Sequence, residues 1–249
     1  MTCVYVLAHF DDEYCGLPLV AERAAAGEDQ LFLYVADYAD PRLGARRFAE
    51  TQALLAHLGV PRSKVLHVGR GTGAVDGGVY RALEPAYAAL EAALADVPRI
   101  DRMVTLAWEG GHMDHDMCAM MTAELARTRG QPPIETISLY TGPGLGGPFF
   151  HGAWPLAENG PVRRIRLKPG AWLNWMAAVR FFPSQIKTWL GLWPAMFWSY
   201  AWRGFGVQQL DPARIRQRPH EGSLFYERMF KVPYADVRAA ADAFLSRRP

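Results

Sequence analysis

Through the first half of the chain, short β-branched or apolar runs alternate with longer amphipathic segments, the rhythm of βαβ units around a parallel sheet. The pattern predicts strands at residues 3–8, 31–36, 64–68, 103–107 and 135–139. Between them, residues 13–27, 43–58, 79–95 and 115–129 repeat their apolar positions with a helical period, and Gly59 stands as a stop after Leu58. A Rossmann-like, doubly wound α/β domain with a mostly parallel sheet is expected. The rhythm then breaks in a Gly/Pro-rich passage, residues 141–155, read as a loop or lid. Beyond it lie a predicted edge strand at 162–167, an aromatic helical region from 172 to about 202, and a final amphipathic helix at 234–245. We expect a catalytic core over residues 1–140 and, over 141–249, an aromatic-rich extension of the same domain. There is no internal repeat.

Composition narrows the function. With 249 residues, half of them apolar, the chain can bury one large core. Its 27 basic and 25 acidic side chains leave a net charge of +2, too weak a field to point to nucleic acid, so a small-molecule partner fits better. Three cysteines and no basic stretch leading into an apolar one at the start suit a reduced, cytoplasmic protein, with Cys3, Cys15 and Cys118 as buried thiols. Residues 172–202 hold six of the eight tryptophans, but the uncharged run 188–202 is shorter than the roughly 20 residues a membrane span needs and contains Pro194. No span is expected. That segment reads as core or as the interface of a homo-oligomer, with a sharper alternative that it receives an apolar part of the substrate.

The candidate chemistry sits at two strand ends. Directly after the first strand runs His9-Phe10-Asp11-Asp12-Glu13, and after the fourth Trp108-Glu109-Gly110-Gly111-His112-Met113-Asp114-His115-Asp116. Ligands of open α/β sheets collect outside the carboxyl ends of the strands, so two such turns can meet in one crevice. Imidazole and carboxylate are good zinc ligands, and a catalytic zinc takes three protein groups and keeps a position open. Singly, these residues have plainer readings: Asp12 and Glu13 suit the positive end of a helix, and Asp114 suits an N-cap. The joint pattern favours a metal.

In these residues the sequence resembles the PIG-L/LmbE-like de-N-acetylases, whose signature stands here as Ala8-His9-Phe10-Asp11-Asp12-Glu13 followed by His112-Met113-Asp114-His115. Two further family features match Arg47, Glu50, Leu58 and Gly59, and then Ser184 and Gln185. Phe10 and Met113 stand where prolines are usual. The resemblance implies zinc, or another divalent metal, on His9, Asp12 and His115, with Asp11 left free of the metal as general base. It further implies that His112 steadies the oxyanion, that Asp114 orients His112 or raises its pKa, and that Arg47 touches substrate, although Arg47 also suits a surface ion pair. The implied reaction is hydrolysis of an N-acetyl amide on an amino sugar or glycoconjugate. Hydrolysis of another amide or a carbamoyl group in secondary metabolism is an alternative. So is a non-catalytic metal- or sugar-binding module, against which the acid at Asp11 speaks.

Other motifs carry less. Gly69-Arg70-Gly71-Thr72-Gly73 does not follow the first strand and is no dinucleotide fingerprint, and Ser184-Gln185-Ile186-Lys187 lacks the Lys-Thr-Gly partner of penicillin-recognising enzymes. His57, His67, His151 and His220 have no ligand spacing and are expected to be structural.

Overall fold

The computed structural model describes residues 1–248. Its strands are β1 (Thr2–Leu7), β2 (Asp29–Tyr34), β3 (Val65–His67), β4 (Arg102–Leu106), β5 (Ile134–Ile137), β6 (Tyr140–Thr141), β7 (His151–Gly152), β8 (Arg163–Ile165) and β9 (Phe205–Gln209). The helices are α1 (Leu17–Ala25), α2 (Pro41–His57), α3 (Leu83–Ala93), α4 (Met113–Thr128), α5 (Pro169–Ala178), α6 (Ile186–Arg203), α7 (Phe225–Met229) and α8 (Tyr234–Leu245). Seven strands form one sheet in the order β3-β2-β1-β4-β5-β9-β8, parallel from β3 to β5 and antiparallel at β9 and β8, while β6 and β7 form a separate hairpin.

Alternation along the central strands sorts their side chains onto two faces. Val4, Val6, Leu31 and Leu33 enter a core with residues of α3, α4 and α8; Tyr5, Leu7, Phe32 and Tyr34 enter a second core with α1, α2, α5 and α6. Both faces being covered, the strands read as near-continuous apolar runs. Helix α4 is buried along residues 113–126, between the sheet and α8.

The five parallel strands lie where the pattern predicts, and β8 forms the predicted edge. Strand β9 is a correction. Its sequence Phe-Gly-Val-Gln-Gln has neither alternation nor a β-branched run, yet it completes the sheet between β5 and β8. Gln208 Nε2 donates to the carbonyls of Leu156 and Gly160, at 2.8 Å each, which satisfies the NH₂ of a buried amide no periodicity announces. The predicted helix at 13–27 opens as a 3₁₀ turn, Asp12–Gly16, and becomes α-helical only at Leu17, with Pro18 in its first turn. The passage 141–155 contains β7 and part of β6, and the aromatic region divides into α5 and α6 around residues 179–185. It is not uniformly core either: Trp175 and Trp189 are buried while Trp198 and Trp202 are exposed. No helix among the described residues is long and apolar enough to cross a membrane. Cys3, Cys15 and Cys118 are free and buried.

Candidate metal centre and active site

Strands β1 and β4 are parallel neighbours at the point where the strand order reverses, so the turns that follow them open into one crevice. Two glycines bring the second turn in: Gly110 adopts φ 68°, and a Cβ on Gly111 would lie 2.0 Å from the Tyr140 carbonyl oxygen. In the first turn, Asp12 Oδ2 accepts the backbone N–H groups of Ala8 (2.9 Å) and His9 (2.7 Å). That anchors the carboxylate and presents its other oxygen to the histidines. His115, in the first turn of α4, brings Nε2 to 3.3 Å from Asp12 Oδ1 and 3.2 Å from His9 Nδ1, and His9 Nδ1 lies 3.7 Å from Asp12 Oδ1.

This triangle fits a divalent metal on two grounds. Tetrahedral zinc at about 2.0–2.1 Å from each donor separates its ligands by about 3.3–3.4 Å, close to the three edges observed. The protonation pattern agrees as well. His9 Nε2 faces Asp114 Oδ2 at 3.2 Å and Asp76 Oδ1 at 3.3 Å; these acids and Asp12 raise His9 against its burial, and with a proton kept on Nε2 the lone pair of Nδ1 is what a cation would take. That lone pair, a carboxylate oxygen and a second imidazole nitrogen converge, an arrangement that asks for a cation. Burial alone would raise the Asp12 carboxyl, but His115 and His9 hold it well below its ordinary value.

Asp114 is tied to His9. Its Oδ2 also accepts Gly77 N–H (2.6 Å) and its Oδ1 accepts Val79 N–H (3.0 Å), whereas His112 Nδ1 is 3.9 Å away. Asp114 thus contacts His9 more closely than His112, while its charge still acts to raise the His112 pKa as expected. His112 instead accepts the Asp114 backbone N–H on Nδ1 at 3.2 Å and so caps α4. Burial, reinforced by His9 and His115 and opposed by Asp114, pushes His112 down to about 3. It is a neutral imidazole with its proton on Nε2. A ring nitrogen of each of His9, His112 and His115 lies within 4.8 Å of the others.

Asp11 occupies the strained point of the turn, with φ 147° and ψ −12°, where non-glycine residues are rarely found. Burial, with the Asp12 charge beside it, pushes its carboxyl well above the ordinary value. Several contacts hold this conformation. Phe10 is fully buried beneath the turn against Tyr34, Tyr38, Phe48 and His67. Gln185 Nε2 donates to the Phe10 carbonyl at 2.6 Å, while the neighbouring Ser184 hydroxyl donates to Glu50 Oε2 at 2.6 Å. Glu50 and Ser184-Gln185, separate features of the sequence, thus meet at the site's foundation. Arg47 reaches it from α2, its Nη1 4.0 Å from Asp76 Oδ2 and its guanidinium 5.2 Å from the Tyr38 ring centre.

Three further acids belong to the site: Glu109 and Asp116, which stand in the second turn with no role assigned by the sequence, and Asp76, which the sequence does not single out. Asp76 sits in the loop after β3, where glycines at 73, 77 and 78 were the only signal. Glu109 accepts the Ser138 hydroxyl (2.5 Å) and the N–H groups of Leu139 (2.8 Å) and Tyr140 (2.9 Å), and burial pushes it up to about 8. Asp116 accepts the N–H groups of Glu109 and Gly110 at 3.1 Å each, and burial pushes it up to about 7.

Residues 4–126, which supply every one of these ligand candidates, match the family model PIG-L, described as GlcNAc-PI de-N-acetylase. They form a PIG-L family domain. No curated protein matches the chain by sequence. Among solved structures it resembles the zinc-inhibited form of teicoplanin deacetylase (18% identity, 85% of this chain and 99% of that one, TM-score 0.58). It also resembles N,N′-diacetylchitobiose deacetylase from Pyrococcus horikoshii (16% identity, 88% and 87%, TM-score 0.58). A third is 4-carboxy-2-hydroxymuconate hydratase from Pseudomonas putida (14% identity, 85% and 96%, TM-score 0.51). At these identities the likeness shows the fold. That a hydratase shares it leaves the reaction to the site.

Proposed function

We propose that this PIG-L domain protein is a divalent-metal-dependent N-deacetylase that hydrolyses the N-acetyl amide of an amino sugar or glycoconjugate and releases the free amine. The observation that carries the reading is the convergence of His9 Nδ1, Asp12 Oδ1 and His115 Nε2 within 3.2–3.7 Å, in the same turn as the strained Asp11. When bound there, zinc supplies a Lewis acid that polarises the amide carbonyl and acidifies water. Asp11 is the general base, set beside Asp12 in the turn so that its carboxylate can take a proton from the attacking water and return it to the departing amine. His112, held neutral with its proton on Nε2, donates to the developing oxyanion, a contribution of about 3–4 kcal/mol to the barrier in comparable sites. Asp114 fixes the tautomer and orientation of His9. Arg47, with Asp76 near it at the mouth, binds the polar part of the substrate. Residues 1–140 carry these groups, and 141–249 form an extension of the same domain that braces the first turn and shapes the entrance. Three buried thiols suit a reducing, cytoplasmic setting.

Names of relatives support this reading: both are described as deacetylases, one of teicoplanin and one of the amino sugar N,N′-diacetylchitobiose. The test is to purify the protein without chelator, measure bound metal, and follow amine release from a panel of N-acetylglucosamine conjugates, with Asp11→Ala alongside. About one metal per chain and release that Asp11→Ala reduces at least a hundredfold are expected. Bound metal with no amine released from any conjugate would sink the deacetylase assignment.

A further inference from the structure

Residues 159–210 contain no Asp or Glu and seven Arg or Lys, although the rest of the chain is net negative, with 20 basic against 25 acidic residues. Within this segment lies an apolar surface without a partner. Helix α6 turns Trp189, Met196 and Tyr200 inward, and its opposite face exposes Ile186, Leu190, Gly191, Pro194, Trp198, Ala201 and Trp202. Trp198 is 72% and Trp202 83% exposed, and Leu173 of the adjoining α5 is 59% exposed. Trp172 of α5 packs on Phe197 of α6 with ring centres 4.7 Å apart, so the two helices present one surface.

The cations rim this face. Arg203 ends α6, and at the following Gly204 the chain closes on Ile165 and Arg166 of the β8 segment, within 2.8 Å and 3.2 Å of where a Cβ would stand. Arg164, Arg166 and Arg203 are thereby gathered at the C-terminal end of α6, where Arg203 stacks on the Trp154 ring at 3.3 Å, and burial together with Arg203 and Arg166 lowers the Arg164 pKa. Lys187 lies at the other end of α6, and Lys168 precedes α5. Among the described residues, the only one of the seven in an ion pair is Arg163, with Glu22 and Glu135.

From this placement we propose that the outer face of α5 and α6 docks onto an anionic phospholipid bilayer, lying on the surface without crossing it. Exposed tryptophans settle at the level of lipid headgroups, where the ring is half desolvated and its N–H keeps a polar partner. A rim of unpaired Arg and Lys meets the negative potential of the membrane surface. A twofold contact between copies is the poorer use of the same face, because it would set this acid-free rim against itself. No helix here can span a bilayer, which leaves surface attachment. The same helix is hydrogen-bonded to the active-site turn: Trp193 Nε1 donates to Tyr14 Oη at 3.2 Å, and Gln185, just before α6, donates to the Phe10 carbonyl. The proposal is independent of the reaction assigned to the site.

Co-sedimentation of the full chain with vesicles decides it. Vesicles of phosphatidylcholine alone are compared with vesicles containing phosphatidylglycerol, at low and high salt, and brominated lipid reports tryptophan insertion by quenching. Two variants, Trp198→Ser/Trp202→Ser and Arg164→Glu/Arg166→Glu/Lys168→Glu, replace mainly exposed side chains, and circular dichroism and metal content confirm that each folds. Expected are binding to the anionic vesicles that weakens with salt, quenching on those vesicles, and at least about a tenfold loss of binding in each variant. Equal affinity for neutral vesicles, or variants that bind as the parent does, would overturn the proposal. So would a stable dimer by light scattering that Trp198→Ser/Trp202→Ser converts to monomer, since the face would then be a contact between copies.

Discussion

If Asp114 acts by orienting His9, then Asp114→Asn must weaken metal binding while leaving the ligands themselves in place. The carboxylate meets three N–H donors: Gly77 and His9 Nε2 on Oδ2, and Val79 on Oδ1. An asparagine offers only one acceptor atom. Its better orientation keeps the oxygen toward Gly77 and His9 and turns the amide NH₂ against the Val79 N–H, leaving a buried donor unpaired at a cost of about 1–3 kcal/mol of folding stability. The bond to His9 meanwhile loses its charge assistance, and with it the push that raises the basicity of the lone pair on Nδ1. Outer partners of metal-bound histidines typically account for 10- to 100-fold in affinity, about 1.4–2.7 kcal/mol here. The assay is competition for zinc against a chromophoric chelator near neutral pH, with apo-protein melting measured in parallel to separate the structural cost. A variant whose zinc affinity lies within about twofold of the parent's, despite the lost stability, would refute the claim that Asp114 tunes the metal through His9.

Two further substitutions probe the scaffold. Glu109 holds a proton in the folded protein up to about pH 8, while the unfolded chain releases it near its ordinary value of 4.5. Stability should therefore fall as pH rises through that window, at up to ~1.4 kcal/mol per unit from this group, and level off above it. Glu109→Gln mimics the protonated form and should flatten the slope of unfolding free energy between about pH 5 and 7.5, so parallel slopes for variant and parent would count against it. Gln185→Leu removes the donor to the Phe10 carbonyl and should cost about 1–3 kcal/mol, lowering the unfolding midpoint by several degrees. Because the bond supports the strained Asp11, turnover should fall by more than the loss of folded protein explains. An unchanged kcat per folded molecule would separate this bond from the site.

The parallel strands were legible because burial on both faces makes them continuous apolar runs, and the two acid- and histidine-rich turns because they follow such runs directly. Strand β9 was not, since its pairing is decided by neighbours distant in sequence and the NH₂ of its buried Gln208 is taken up by two carbonyls of another loop. Asp76 was hidden for a related reason. Nothing local to 73–78 says that this loop folds across the mouth onto His9. For Asp114, proximity in sequence shows only part of the role: it lies two residues from His112 and raises its pKa, while the first turn of α4 also aims its carboxylate at His9 across the crevice. In the aromatic region, composition announced burial, but only the helix faces separate Trp189, which is buried, from Trp198 and Trp202, which are not.

Phe10 shows how the same turn can be held by different physics. Proline, usual at this position in the signature, fixes φ through its ring and removes an N–H. Here the N–H of Phe10 donates to Tyr38 Oη at 3.3 Å, its carbonyl accepts from Gln185, and its ring fills a pocket of four aromatic neighbours. Contacts beneath the turn thus supply the restraint that a covalent ring supplies elsewhere, and they come from both halves of the chain, Tyr34 to His67 on one side and Gln185 on the other. The geometry of Asp11 and Asp12 consequently depends on the C-terminal extension being folded in place. A cut between the two halves would free the turn even with every ligand candidate retained.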